Sequence, residues 1–176
     1  SYEVALSIVS QLARQHPENA ACQSDLSWDS FLTALAMKAE GRLPQARQSC
    51  ESALDIANRL VRQNPENAGW QIRLAWVYAG AGDVLIAEGK LPEARQSFES
   101  VLDIADRLAR QDPGDLGWQW LQAYGHSGIG EVLKTEGKLP EARRSLDAAH
   151  GIANGLAQQD PANLSCQSLQ ASSHTA

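Results

Sequence analysis

The sequence is short of basic charge, of aromatic residues and of long apolar runs, and each shortage removes a class of function. Lys and Arg number 15 against 21 Asp and Glu, a formal charge of −6. A nucleic-acid surface needs a local surplus of cations to displace phosphate counterions, so no nucleic-acid partner is expected. No apolar run approaches the roughly 20 residues of a membrane span, and neither a charged-then-apolar leader nor a lipidation motif is recognisable, so no membrane partner is expected. Cysteines are few and odd in number, Cys22, Cys50 and Cys166, which is no disulfide framework. Strict apolar–polar alternation is missing as well; apolar residues recur at three and four, the spacing of helices.

What the chain has instead is repetition. Glu40-Gly41-Arg42-Leu43-Pro44-Gln45-Ala46-Arg47 returns as Glu88-Gly89-Lys90-Leu91-Pro92-Glu93-Ala94-Arg95 and again as Glu136-Gly137-Lys138-Leu139-Pro140-Glu141-Ala142-Arg143, each time 48 residues on. Pro17, Pro65, Pro113 and Pro161 keep the same step. A fixed period of this size means stacked units, each leaning on its neighbours. The units run 17–64, 65–112 and 113–160. Residues 1–16 match the second half of a preceding unit, and 161–176 match the start of a fourth. That last segment is rich in Ser and Thr, which suits either a polar cap or a frayed end.

Within the middle unit, Asn67 precedes a long periodic stretch, as do Asn19, Asp115 and Asn163 in theirs. All four carry a side-chain oxygen that accepts from the free N–H groups opening a helix. Helix A of the unit runs from there to about Glu88, where Gly89 supplies the left-handed conformation that ends helices. Pro92 opens helix B, since its missing N–H is one the first turn leaves unpaired anyway, and Pro113 stops it. The pattern predicts helices over 1–15, 20–40, 44–63, 68–88, 92–111, 116–136, 140–159 and 164–173. Core stripes are Trp70, Leu74, Tyr78, Ala81, Gly82 and Leu85 in helix A and Ala94, Phe98, Val101, Leu102, Ala105 and Leu108 in helix B. Gly82 and Gly130 fall where the paired helices approach most closely, against Ala94 and Ala142. Cys22, Cys50 and Cys166 take positions held elsewhere by Trp70, Trp118, Phe98 or Leu146, so they are expected to be free packing thiols. That points to a reducing, cytoplasmic compartment.

Tyr78-x-x-Ala81-Gly82-x-x-Leu85, Gly89-x-Leu91 and Ala94-x-x-x-Phe98-x-x-Val101 together resemble the tetratricopeptide (TPR) signature. They are most similar to the long-unit variety found in large bacterial multidomain proteins. The usual unit is about 34 residues, and the surplus is placed as about two turns at the start of helix A and two at the end of helix B. The resemblance implies an all-α, right-handed α-solenoid of about eight helices in antiparallel pairs, used to bind protein or peptide through the concave face of the A helices.

Three features invite chemistry and lack its other parts. Gly125-His126-Ser127-Gly128-Ile129-Gly130 has Ile129 where a nucleophile elbow needs glycine, and it lies in mid-helix rather than after a strand. His150 with Asp147 is an isolated pair without a third metal ligand. Pairs four apart on helix B, Arg47 with Glu51, Asp55 with Arg59, Arg95 with Glu99 and Asp103 with Arg107, read as a solvated outer face. No catalytic set, metal site or cofactor is expected.

One stripe on the A helices, off the core stripe, offers Trp28, Phe31 and Leu35, then Trp76 and Asp83, then Trp120, Tyr124 and Glu131. The resemblance places these positions on the concave groove. Aromatics are frequent binding anchors, and the two carboxylates favour a partner with basic side chains. The same residues also suit a seam between neighbouring A helices. Beside this binding scaffold stands a second reading, a regulatory or oligomerising arm of a larger signalling or protease-like enzyme with no ligand of its own. Tyr2, Leu6 and Ile8, on a first helix without its partner, would drive self-association through the ends.

Overall fold

The computed structural model describes Gln11, Gln15, 18–112 and 115–159. Among the described residues the fold is all-α, with six helices and no strand: α1 (Ala20–Ala39), α2 (Leu43–Gln63), α3 (Ala68–Ala87), α4 (Leu91–Gln111), α5 (Leu116–Thr135) and α6 (Leu139–Gln159). Every boundary lies within one residue of the sequence expectation. The expected helices over 1–15 and 164–173 fall outside the described residues apart from Gln11 and Gln15, as do Tyr2, Leu6, Ile8, Asn163 and Cys166.

Three identical turns separate α1 from α2, α3 from α4 and α5 from α6. Gly41, Gly89 and Gly137 have φ of 75°, 75° and 77°. In the first turn Gly41 N–H donates to Lys38 O (3.0 Å) and Arg42 N–H to Met37 O (2.9 Å). These are the two bonds of a Schellman motif, which only a left-handed residue closes without strain. The opposite ends are capped as the sequence indicates. Asn19 Oδ1 accepts from the N–H groups of Ala21 and Cys22, Asn67 Oδ1 from Trp70 and Asp115 Oδ1 from Gly117.

The chain divides into two compact units, 1–90 and 91–176. In the first, α1 packs on α2, α2 on α3, and α1 also touches α3. Ala34, Ala46, Cys50, Ala81 and Val84 form one buried cluster, and Phe31, Ala53 and Val77 form another, bordered by Trp28, Leu32, Leu35, Leu54 and Trp76. In the second unit α4 packs on α5 and α5 on α6. Gly125 stands against Leu102, Gly128 against Phe98 and Gly130 against Leu146, with Ala142 O next nearest. The glycine run of α5 is thus a packing surface in mid-helix.

The A-type helices are buried more widely than a single stripe predicts. α3 buries Gln71, Leu74, Ala75, Val77, Ala79, Gly80, Ala81, Gly82 and Val84, while Trp70, Tyr78 and Leu85 of the expected stripe are only half-buried. The B-type helix α2 keeps one buried face, Ala46, Cys50, Ala53, Ala57 and Leu60. Cys50 is a free buried thiol; Cys22, also free, is half-buried instead of buried as expected. Arg59 does not simply decorate the outer face, since its Nη2 donates to Gln23 Oε1 on α1 at 2.8 Å.

Candidate functional site

The residues of the A-helix stripe divide by burial. In the first unit Phe31 is 6% exposed and sits with Leu35 on Gly80 of α3, where an added Cβ would overlap the Phe31 ring. Phe31 and Leu35 therefore join α1 to α3. Trp28 and Trp76 border the same cluster and stay half-buried. The Trp28 ring is tilted on Phe31 at 5.0 Å between centroids. The Arg73 guanidinium lies over the same ring, 5.6 Å from its centroid. Arg73 is held there by its bonds to Ser24 O at 3.1 Å and Asp25 Oδ1 at 3.3 Å.

Asp83 is paired within the chain, its Oδ2 3.3 Å from Lys38 Nζ. Asp83 belongs to the expected groove stripe, and Lys38 offsets its charge there. Asp83 also lies close enough to act on Cys50: burial first, then the nearby Asp83 charge, pushes that thiol up to about 12. A thiol so placed is protonated at neutral pH and serves packing.

In the second unit Trp120 and Tyr124 stack at 5.8 Å with ring planes 21° apart. Both are half-buried on α5. Glu131 Oε2 lies 2.9 Å from Lys134 Nζ one turn on. Trp28, Trp76 and Tyr124 stand 48 residues apart in sequence and are half-buried alike, so one A-helix position carries an aromatic side chain in all three repeats.

Sequence reasoning missed the buried amides. Gln71 is almost fully buried and its Nε2 donates to Pro65 O; Gln23, one period earlier, receives Arg59. Ser27 Oγ, also buried, donates to Ala53 O at 2.9 Å and ties α1 to α2. The recurrence of Gln at 23, 71 and 119 was the available signal. His126 lies within α5, where its carbonyl accepts from Ser145 Oγ at 3.1 Å. Among the described residues no group of three or more His, Cys, Asp or Glu is placed to hold a metal ion, and no helix is long and apolar enough to cross a membrane. No protein-family model matches the chain, and no curated protein matches it.

Proposed function

We propose that the chain is a tetratricopeptide-like, right-handed α-solenoid whose A-helix aromatics bind a peptide or a helix of a protein partner, without catalysis of its own. The observation that carries this reading is the recurrent half-buried aromatic, Trp28, Trp76 and Tyr124. A binding anchor must be both supported and accessible, and partial exposure at the same position in three repeats meets that condition. Phe31, Leu35 and Arg73 supply the support in the first unit. The Trp120–Tyr124 stack offers a second apolar surface in the other. The net charge of −6 favours a partner with basic side chains near the apolar anchor.

Panning a random-peptide library on the intact chain tests this. Enriched peptides should combine aromatic or aliphatic residues with Lys or Arg. Trp28→Ala should weaken them by about thirtyfold, the effect of removing an anchor of about 2 kcal/mol, with the helical circular dichroism retained. Lost thermal stability with unchanged peptide affinity would assign the aromatics to packing and refute the proposal.

A further inference from the structure

Three contacts fix how α3 lies beside α1. Phe31 meets Gly80, Arg73 reaches Ser24 O and Asp25 Oδ1, and Lys38 reaches Asp83. Counted back by the 48-residue period, Gly80, Arg73 and Asp83 fall on positions 32, 25 and 35, so each contact joins places equal to within three residues. The two helices run in the same direction, because a short connection reverses the chain before α2 and another reverses it after. Equivalent residues therefore stand side by side, about 8–10 Å apart, the distance between packed helix axes. Trp28 and Trp76 are such a pair, both half-buried.

Arg73 crosses from the helix of Trp76 to the ring of Trp28. It precedes Trp76 by three residues, and its guanidinium lies over Trp28 at 5.6 Å. Its bonds to Ser24 O and Asp25 Oδ1 both use Nη1, and its side chain is 39% exposed. The hydrogens on Nε and Nη2 are thus left for a further acceptor. The charges along this strip are matched within the chain, Arg73 with Asp25 and Lys38 with Asp83. A ligand charge would gain little there, whereas an uncharged segment with apolar side chains and an unpaired carbonyl complements the strip.

We infer that Trp28, Arg73 and Trp76 bind a polyproline II segment of a partner protein, with apolar residues at every third place. Polyproline II has three residues per turn and rises about 3.1 Å per residue, so side chains on one edge fall about 9 Å apart, within the spacing of equivalent residues on α1 and α3. A β-strand sets same-face neighbours only about 7 Å apart. An α-helix reaches a similar distance only at every seventh residue, with the side chains of the intervening turn over the gap that Arg73 crosses. Polyproline II also leaves its carbonyls without internal partners, which gives Arg73 its acceptor, and its preformed shape suits an aromatic-lined surface. The inference rests on the reading of Trp28 and Trp76 as ligand anchors and names the class of ligand they take.

The test is fluorescence anisotropy of two end-capped, fluorescein-labelled peptides on the full chain, one of four Leu-Pro-Pro triplets and one of three Leu-Pro-Pro-Pro quartets. They share length and conformation, but the quartets turn successive leucines onto different edges. Saturable binding of the triplet peptide is expected, at least roughly tenfold tighter than that of the quartet peptide. Arg73→Met keeps the stem and removes the N–H groups, and it should weaken the triplet peptide at least roughly threefold. Trp76→Ala should weaken it roughly tenfold or more, with helical circular dichroism retained in both variants. Equal affinity for the two spacings, or affinity indifferent to both substitutions, overturns the inference. So does tighter binding of a helical peptide with leucine at every seventh place, which would assign the strip to a helix. In either case library peptides that still depend on Trp28 leave the anchor reading standing; if no peptide of any kind binds, both readings fall together.

Discussion

At single positions the repeats trade volume. α3 has Gly80 and α5 has Gly128 one period on, and each gives up its side chain to a phenylalanine ring from a different source. Phe31 of α1 fills the space at Gly80, and Phe98 of α4 fills the space at Gly128. The B-helix position that holds Phe98 holds only Cys50 one period earlier, so the ring arrives there from the neighbouring A helix instead. The space around each glycine sets opposite signs for the same substitution. Gly128→Ala forces its methyl into the buried Phe98 ring and should lower the urea midpoint by the equivalent of about 1–3 kcal/mol, less the helix-propensity gain. Gly151→Ala, which meets nothing within 4 Å, should raise stability by up to about 1 kcal/mol. Cys50 makes a further residue-scale prediction, because its folded pKa of about 12 lies above its ordinary 9.0. The folded state then holds a proton that the unfolded state has released. Its contribution is present below pH 9 and lost as pH rises from about 9 to about 12. Urea midpoints should fall across that window with a slope that Cys50→Ala reduces, and at pH 8 iodoacetamide should modify Cys22 well before Cys50, read by mass spectrometry.

For the helices, the punctuation was legible and the packing was not. Caps and turns are local, since Asn67 needs only the next three residues and Gly41 only the preceding four, so their spacing located every described boundary within one residue. Gly41→Ala should destabilise by about 1–2 kcal/mol, because φ of 75° presses a Cβ on the carbonyl. Asn67→Ala should lose about 1 kcal/mol through the missing bond to Trp70 N–H. Both are read from thermal unfolding with reference to the parent chain. Burial around α3 was less visible, because it is packed on more than one side and its contacts at Ala75, Ala79 and Gly80 are small residues that mark no stripe. Arg59 misled in the opposite direction. Its spacing from Asp55 fits a surface pair, but its length lets it cross to Gln23, and no local pattern encodes that reach.

Over the whole chain, the candidate anchors were readable as residue types, whereas their division between support and exposure was not. Phe31 departs from the period, and its partner Gly80 lies in the next repeat; a pairing that breaks the repeat leaves no repeating trace. Asp83 looked available for a ligand until Lys38 was found beside it. Charge contributes little to holding the molecule together. The Arg47–Glu51 and Arg95–Glu99 pairs sit on partly exposed side chains, where water and salt screen them. Raising NaCl to about 1 M, where screening reaches about 3 Å, should therefore shift the urea midpoint only slightly in either direction. A large loss of stability would show that the ion pairs matter more than their exposure implies. The one-sided burial of α2, set against the enclosed α3, also bears on how such a sequence can drift. Gln48, Glu51, Ser52 and Asp55 are exposed and lie within about two turns on one face of α2. In a library of all single substitutions, survivors should cluster there and at the matching places 48 residues on, while the buried positions of α3 such as Ala75, Ala79 and Gly80 should accept almost nothing larger.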